Sequence, residues 1–365
     1  MLNSKFLSLL LGLVLILSNV QSFSQVKDIS LDEMIGQMIM LGFEGTRIDD
    51  TKFKDIKGNI IQNKIGGVVF FDRNIININQ VKEFISSINA LDKKEPLFIA
   101  IDQEGGQVSR LKSNRSFKTF PSAKYVAQHL STAKAFDLYY TMAITLKNIG
   151  FNLNFAPVVD VDINPKSPAI SLKNRSFSSD PKTVINYART FVLAHKKANV
   201  LTTLKHYPGH GSATTDSHFG FTDITHTWND LESIPYRTLI KEKSVNIIMS
   251  AHLFNSTIDD RFPASLSKVH LGKILRHDMK YKGIIITDDL QMGAISKSFD
   301  LNTVIINAIN AGNDILLFAN YFTLDPHLAD KIIDIIKLAI ESGVIKKKQI
   351  QLSYKRIIHL KRLII

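Results

Sequence analysis

An α/β barrel of eight strand–helix units is the fold class this sequence predicts, and three observations predict it. Short β-branched runs alternate with longer stretches of helical periodicity along nearly the whole chain. Several runs are apolar on both faces, as Gly283-Ile284-Ile285-Ile286-Thr287 is, which a parallel strand covered by helices requires. No Pro/Ser-rich hinge, low-complexity segment or short internal repeat interrupts the alternation, so the units belong to one domain. A chain of 365 residues is long enough for such a barrel. The competing architecture, an open doubly wound sheet, asks for a glycine-rich dinucleotide fingerprint after a strand. None is present.

Residues 1–24 stand apart from the barrel. Lys5 supplies a positive start, residues 6–17 are nearly all apolar, and Ser22-Phe23-Ser24 offers small residues before a cleavage point. This reads as an export signal. The apolar stretch is shorter than the roughly 20 residues that span a bilayer as a stable helix. An uncleaved N-terminal anchor is the alternative, and it is the one route by which the chain is expected to touch a membrane. Either way residues 25–365, the barrel domain with its C-terminal helices, face the periplasm or the exterior of a bacterial cell. The strands are expected at 37–42, 66–71, 97–101, 152–157, 201–204, 247–251, 284–287 and 315–318. Helical patterns cover 79–91, 123–149, 181–198, 229–243, 268–279 and 303–311, and two more, 326–342 and 347–363, are expected to close the outer ring.

Composition narrows the function. Hydrophobic residues at 45% and charged residues at 21% exclude wholesale disorder. The absence of cysteine excludes disulfides, thiolate metal sites, a cysteine nucleophile and a lipid-anchored cysteine. Lys and Arg outnumber Asp and Glu by 45 to 33, a net charge of +12. That excess is read as lysines scattered over solvated helix faces, with attraction to an anionic polymer such as cell wall as the alternative. No basic run is interleaved with aromatics, so nucleic acid is not an expected partner.

Barrel enzymes keep their chemistry at the C-terminal ends of the strands, and the unusual residues of this sequence collect there. The third strand ends in Ile101-Asp102-Gln103-Glu104-Gly105-Gly106, with Arg110 beyond it, and the fourth leads to Asp160, Asp162 and Arg175. The fifth ends in Lys205-His206-Tyr207-Pro208-Gly209-His210-Gly211, then Asp216-Ser217-His218. The sixth ends in Ser250-Ala251-His252, the seventh in Thr287-Asp288-Asp289. A single strand-end Asp is commonly a helix cap. Charged groups at five successive strand ends are not explained by folding, because burying them is costly unless they are paired. Asp102, Arg110, Arg175, Lys205 and His206 form a set of charged donors and acceptors suited to a polyhydroxylated ring. Asp288 is then a candidate nucleophile for an anomeric carbon. His218 is a candidate proton donor, and Asp216, two residues upstream, can hold its imidazole in one tautomer.

The segment from Lys205 to Gly211, four residues, then Asp216-Ser217-His218, resembles the signature of family-three glycoside hydrolases, in particular their β-N-acetylglucosaminidase branch. Asp102-Gln-Glu-Gly-Gly-x-Val-x-Arg110 and Thr287-Asp288-Asp289-Leu290-x-Met292 are similar to the same group, and the likeness runs from about residue 30 to about 320. The resemblance implies a barrel in which Asp288 is the nucleophile, Asp216 and His218 an acid/base dyad, and Asp102, Arg110, Arg175, Lys205 and His206 the ring-binding set. It implies a retaining exo-β-N-acetylglucosaminidase acting on peptidoglycan fragments or other GlcNAc-capped glycans, a muropeptide among them. No metal or other cofactor is expected, and a monomer is. Two features depart from the family: close relatives in wall recycling are often cytoplasmic, and residues 219–225 follow no family pattern. Rival readings stay open at the same residues. His206, His210, Asp216, His218 and Asp288 are also a possible zinc set of a metal-dependent hydrolase, although Pro208, Gly209 and Gly211 forbid the helix that would align both histidines. A non-catalytic sugar-binding module is another rival. Asp288 and Asp289 together also mimic the carboxylate pair of substrate-assisted hexosaminidases. Strand alternation instead sends Asp289 to the opposite face, as a cap for the following helix. Trp228 is expected to pack at a helix start rather than stack on sugar.

Overall fold

The computed structural model describes residues 29–364, apart from 113, 115, 116, 322 and 323. The expected export signal, 1–24, lies outside the described residues. Eight parallel strands form the ring: β1 (Ile39–Gly42), β2 (Gly67–Phe70), β3 (Phe98–Ile101), β4 (Leu153–Asn154), β5 (Leu201–Tyr207), β6 (Ile247–Ser250), β7 (Ile284–Thr287) and β8 (Leu316–Phe318). Each pairs with the next in sequence, and β1 pairs with β8. A parallel bridge between Ile286 and Ile315 completes the ring, with the Thr287 N–H donating to the Ile315 carbonyl at 3.0 Å. Every strand residue is buried. Side chains therefore fill the barrel on one face and pack against helices on the other, which is why the strands read as continuous apolar runs.

The surrounding helices are α1 (Leu31–Gln37), α2 (Lys54–Ile61), α3 (Ile78–Asn89), α4 (Ala123–His129), α5 (Thr132–Ile149) and α6 (Pro181–Lys197). They continue as α7 (Ile234–Lys241), the π-wound α8 (Val269–Asp278), the single turn α9 (Gly293–Ser296), α10 (Leu301–Ala311), α11 (Leu328–Glu341) and α12 (Lys347–Lys361). The pattern at 123–149 is two helices, not one. Leu130 is extended and the Ser131 hydroxyl accepts the Lys134 N–H, so the second helix starts on its own N-cap. Three helices escaped the periodicity: α1, α2 and the single turn α9. The first had a legible signal: Ser30 and Glu33 form a capping box.

Helix α12 does not join the outer ring as expected. It lies against the N-terminal end of the barrel. Buried Lys361 donates to the Gln37 side chain at 2.6 Å and to the Gly66 carbonyl at 2.7 Å, just ahead of β1 and β2. Arg356 and Ser353 both bind Asp314, just ahead of β8, at 2.8 Å. This end is therefore sealed. The opposite end, where the strands finish, is open.

Candidate active site

Strand β5 is three residues longer than its β-branched run, and the extension places Lys205 and His206 in the strand at its C-terminal end. Two strands away, Asp102 directly follows the end of β3. The Lys205 ammonium sits 2.9 Å from Asp102 and 2.7 Å from Glu104, and Arg110 is 3.2 Å from the other Asp102 oxygen. Burial alone raises a carboxyl pKa; here Lys205 and Arg110 outweigh it and hold Asp102 well below the usual range. Glu104 is likewise drawn down, to about 2, with Arg175 and Lys205 overcoming its burial.

Glu104 had no role in the sequence reading, although it stands two residues from Asp102. It takes a bidentate pair from Arg175 at 2.8 and 2.9 Å. Arg175 gives further N–H groups to the Ala169 carbonyl and to His206 Nε2, at 2.9 and 3.2 Å. A guanidinium only donates, so His206 Nε2 accepts, and Nδ1 carries the proton that bonds Asp160 at 2.7 Å. Asp160, fully buried, also accepts the backbone N–H groups of His206 and His210. The expected ring-binding set is thus brought together, backed by Glu104 and Asp160.

The loop after β5 is built on close approach. A Cβ on Gly211 would lie 1.7 Å from the Val161 carbonyl oxygen, and Gly209 adopts φ +129° against Glu232. The Glu232 carboxylate accepts the Gly211 N–H at 2.8 Å, and burial pushes its pKa up to about 8. From this base the chain reaches Asp216. His218 Nδ1 lies 2.6 Å from the Asp216 carboxylate, which also accepts the His218 backbone N–H at 3.1 Å. Burial opposes ionisation of Asp216, yet its bonds to His218 hold it far below the usual range. Nδ1 is therefore the donor to Asp216, and Nε2 is the nitrogen left for chemistry. Sequence reasoning also missed Lys173, whose ammonium stands 3.1 Å from the second Asp216 oxygen.

Asp288 follows β7, and its Oδ1 accepts the Asp289 N–H at 2.8 Å. Burial would raise its pKa, but His252, His206 and His218 face it and keep it ionised. Asp289 does not cap a helix as expected. Met292 stands at the N-cap of α9, while Asp289 accepts the Gln291 and Ala319 N–H groups at 3.1 and 2.9 Å. It ties the turn to the end of β8, and burial raises its pKa to about 6. Trp228 packs as expected, over Ala213, Ile224, Ala251 and Leu253, with its indole N–H on the Pro208 carbonyl.

One cleft of about 300 Å³ at the open end is lined by Asp102, Arg110, Arg175, Lys205 and His206 together with Lys173, His218, Asp288 and Asp289. A larger cavity, about 1080 Å³, lies among α7, α8 and α12 around Asn246 and Gly283, remote from this chemistry. Among the described residues no group of three His, Asp or Glu side chains converges to hold a metal ion. The arrangement offers an ionised carboxylate, a carboxylate-held imidazole and a ring of charged donors around a space of single-sugar size.

Residues 30–360 match the model of the glycosyl hydrolase family 3 N-terminal domain. Beta-hexosaminidase A of Pseudoalteromonas piscicida is 30% identical over 375 residues, covering 91% of this chain; the chain spans 61% of that relative's length. The beta-hexosaminidase of Photobacterium profundum is 35% identical over 266 residues, 72% of this chain and 77% of the relative. A solved structure of a glycoside hydrolase family 3 beta-N-acetylglucosaminidase from Paenibacillus sp. str. FPU-7 superposes with a TM-score of 0.84 at 30% identity, covering 92% of this chain and 62% of the other.

Proposed function

The chain belongs to glycoside hydrolase family 3, and from that premise we propose that it is a retaining exo-β-N-acetylglucosaminidase. It removes terminal β-linked GlcNAc from peptidoglycan fragments or related glycans, outside the cytoplasm. The observation that carries this reading is the pairing of His218 with Asp216 at 2.6 Å on the rim of the cleft that Asp288 lines. The two similar enzymes quoted above bear the names beta-hexosaminidase and beta-hexosaminidase A, and the superposed structure is of a beta-N-acetylglucosaminidase, which supports the same substrate class.

The mechanism follows from the charges. Asp102, Arg110 and Lys205 orient the terminal ring by charge-assisted hydrogen bonds to its hydroxyls, and His206, held by Arg175 and Asp160, shapes the wall beside them. The Asp288 carboxylate attacks the anomeric carbon while His218 Nε2–H gives its proton to the glycosidic oxygen, and the leaving sugar departs as an alcohol. The ionised Asp216 stabilises the imidazolium before that transfer. The neutral imidazole then takes a proton from water as the water attacks the glycosyl–Asp288 ester, releasing GlcNAc with its β configuration retained. The test is hydrolysis of aryl β-GlcNAc against aryl β-glucoside. A clear preference for the first is expected; equal rates, or no hydrolysis of either, overturn the proposal.

A further inference from the structure

The sequence left residues 219–225 without a role, and they hold the most exposed large apolar side chain among the described residues. Phe219 is 72% exposed. Isolated exposed apolar residues are ordinary. Here, however, two more of the most exposed, Leu172 at 62% and Tyr321 at 60%, belong to the same open end: Leu172 precedes Lys173, and Tyr321 lines the cleft with its ring over Arg73.

Phe219 also differs from a loose loop residue in its backbone. Its N–H donates to the Asp216 carbonyl at 3.1 Å, and its carbonyl accepts the Lys297 ammonium at 2.9 Å. Next to it, the His218 carbonyl accepts the Gly293 N–H at 3.2 Å. A Cβ at position 293 would lie 2.8 Å from the Phe219 carbonyl, so the close approach needs glycine. The chain is pinned while the ring stands in solvent, its centroid 6.5 Å from that of His218. A pinned backbone and an aromatic ring with two torsions lose little entropy on binding, which favours a recognition role over a folding one.

Geometry says what the ring meets. His218 Nδ1 is committed to Asp216, so the glycosidic oxygen must approach Nε2. The cleft, at about 300 Å³, sits at the small end of ligand sites, a size that suits a single ring. The leaving sugar therefore lies at the mouth, beside His218. We infer that Phe219 is the stacking platform of a subsite for the leaving hexopyranose, with Lys173 supplying donors at its edge. The apolar C–H face of the pyranose lies on the Phe219 ring. Lys173 gives one N–H to Asp216 and has others left for ring oxygens. This rests on the glycosidase reading above and extends it to the leaving group.

The test compares two substrates of the full chain: N,N′-diacetylchitobiose, whose leaving group is a pyranose, and GlcNAc β-azide, whose leaving group has no ring. Phe219→Ala should lower kcat/KM on the disaccharide about three- to tenfold, chiefly through KM, and leave the azide within about twofold. Phe219→Tyr, which keeps the ring, should behave as wild type on both. Equal losses on both substrates, or no loss on the disaccharide, overturn the platform while leaving the enzyme a glycosidase. A wild-type chain that cleaves neither compound overturns the glycosidase reading and the subsite with it.

Discussion

At residue scale, the proposed chemistry divides between Asp288, which that reading requires ionised, and His218, which it requires protonated. Asp288→Asn keeps the shape and removes the proposed nucleophile; turnover of aryl β-GlcNAc should fall by about three orders of magnitude or more. A variant retaining over a tenth of wild-type activity would assign attack elsewhere. His218→Ala should abolish cleavage of a natural disaccharide and be far milder on a dinitrophenyl glycoside, whose departure needs little protonation. Asp216→Ala should follow the same pattern less severely, since the imidazole remains but loses its 2.6 Å partner. A loss independent of leaving group would make His218 a binding residue. Asp289 bears on the rival route. Its bonds to Gln291 and Ala319 hold it in the turn, so a GlcNAc-thiazoline, which copies the cyclised acetamide, should inhibit poorly; tight inhibition would favour substrate assistance. The placement of Asp288, Asp216 and His218 at the open end was legible in the sequence because each follows a strand within a cluster of polar residues. Glu104 was not: its meaning comes from Arg175, 71 positions away, and pairings between strands leave no local trace. Asp160 was noticed only as a strand-end acid, its bond to His206 reaching 46 positions along the chain.

At the scale of elements, all eight strands were legible within a few residues, because β-branched runs buried on both faces carry no competing pattern. Their ends were less so. β5 runs to Tyr207, and there Lys205 and His206 find partners in Asp102 and Asp160, which follow β3 and β4, a tertiary effect that outweighs their polarity. The break between α4 and α5 was hidden for the opposite reason: no Gly or Pro marks it, only the Ser131 hydroxyl. In the turn Asp230–Ser233, ahead of α7, Glu232 holds the base of the loop that carries Asp216 and His218. Its pKa in the folded chain is about 8 against the usual 4.5, burial being the main cause. Between those values the unfolded chain has released a proton that the folded chain retains, so stability falls as pH rises. The contribution is complete below about pH 4.5 and gone above about pH 8. Glu232→Gln, neutral throughout, should flatten the decline of Tm across that window; an unchanged slope would assign the decline to other groups.

The whole molecule separates a sealed end from a working end, as barrels generally do, with stability at one face and catalysis at the other. The seal is α12, and its centre is Lys361. That side chain is fully buried, lies 4.9 Å from the centroid of Phe98 and donates to Gln37 and Gly66. Burial lowers its pKa from 10.5 to about 7. Below about pH 7 both folded and unfolded chains hold the proton, and between about pH 7 and 10.5 only the unfolded chain does, so this group makes stability rise with pH there. Lys361→Met keeps most of the stem and removes the amine, leaving the Gln37 oxygen and the Gly66 carbonyl without their donor. Above about pH 10.5, where neither state of the wild type holds the proton, urea unfolding should show a loss of about 1–3 kcal/mol, the cost of buried acceptors left unpaired; toward pH 7, relief of the buried amine offsets that loss. The variant should also lose the rise in stability between about pH 7 and 10.5, while kcat/KM of the folded fraction stays at the wild-type value, because α12 packs on the N-terminal ends of the strands and the cleft opens beyond their C-terminal ends. A Lys361→Met enzyme with normal urea resistance above about pH 10.5 would show that the seal draws its stability from the apolar face of α12 alone. One with impaired catalysis but intact stability would show that the two ends are coupled through the strands.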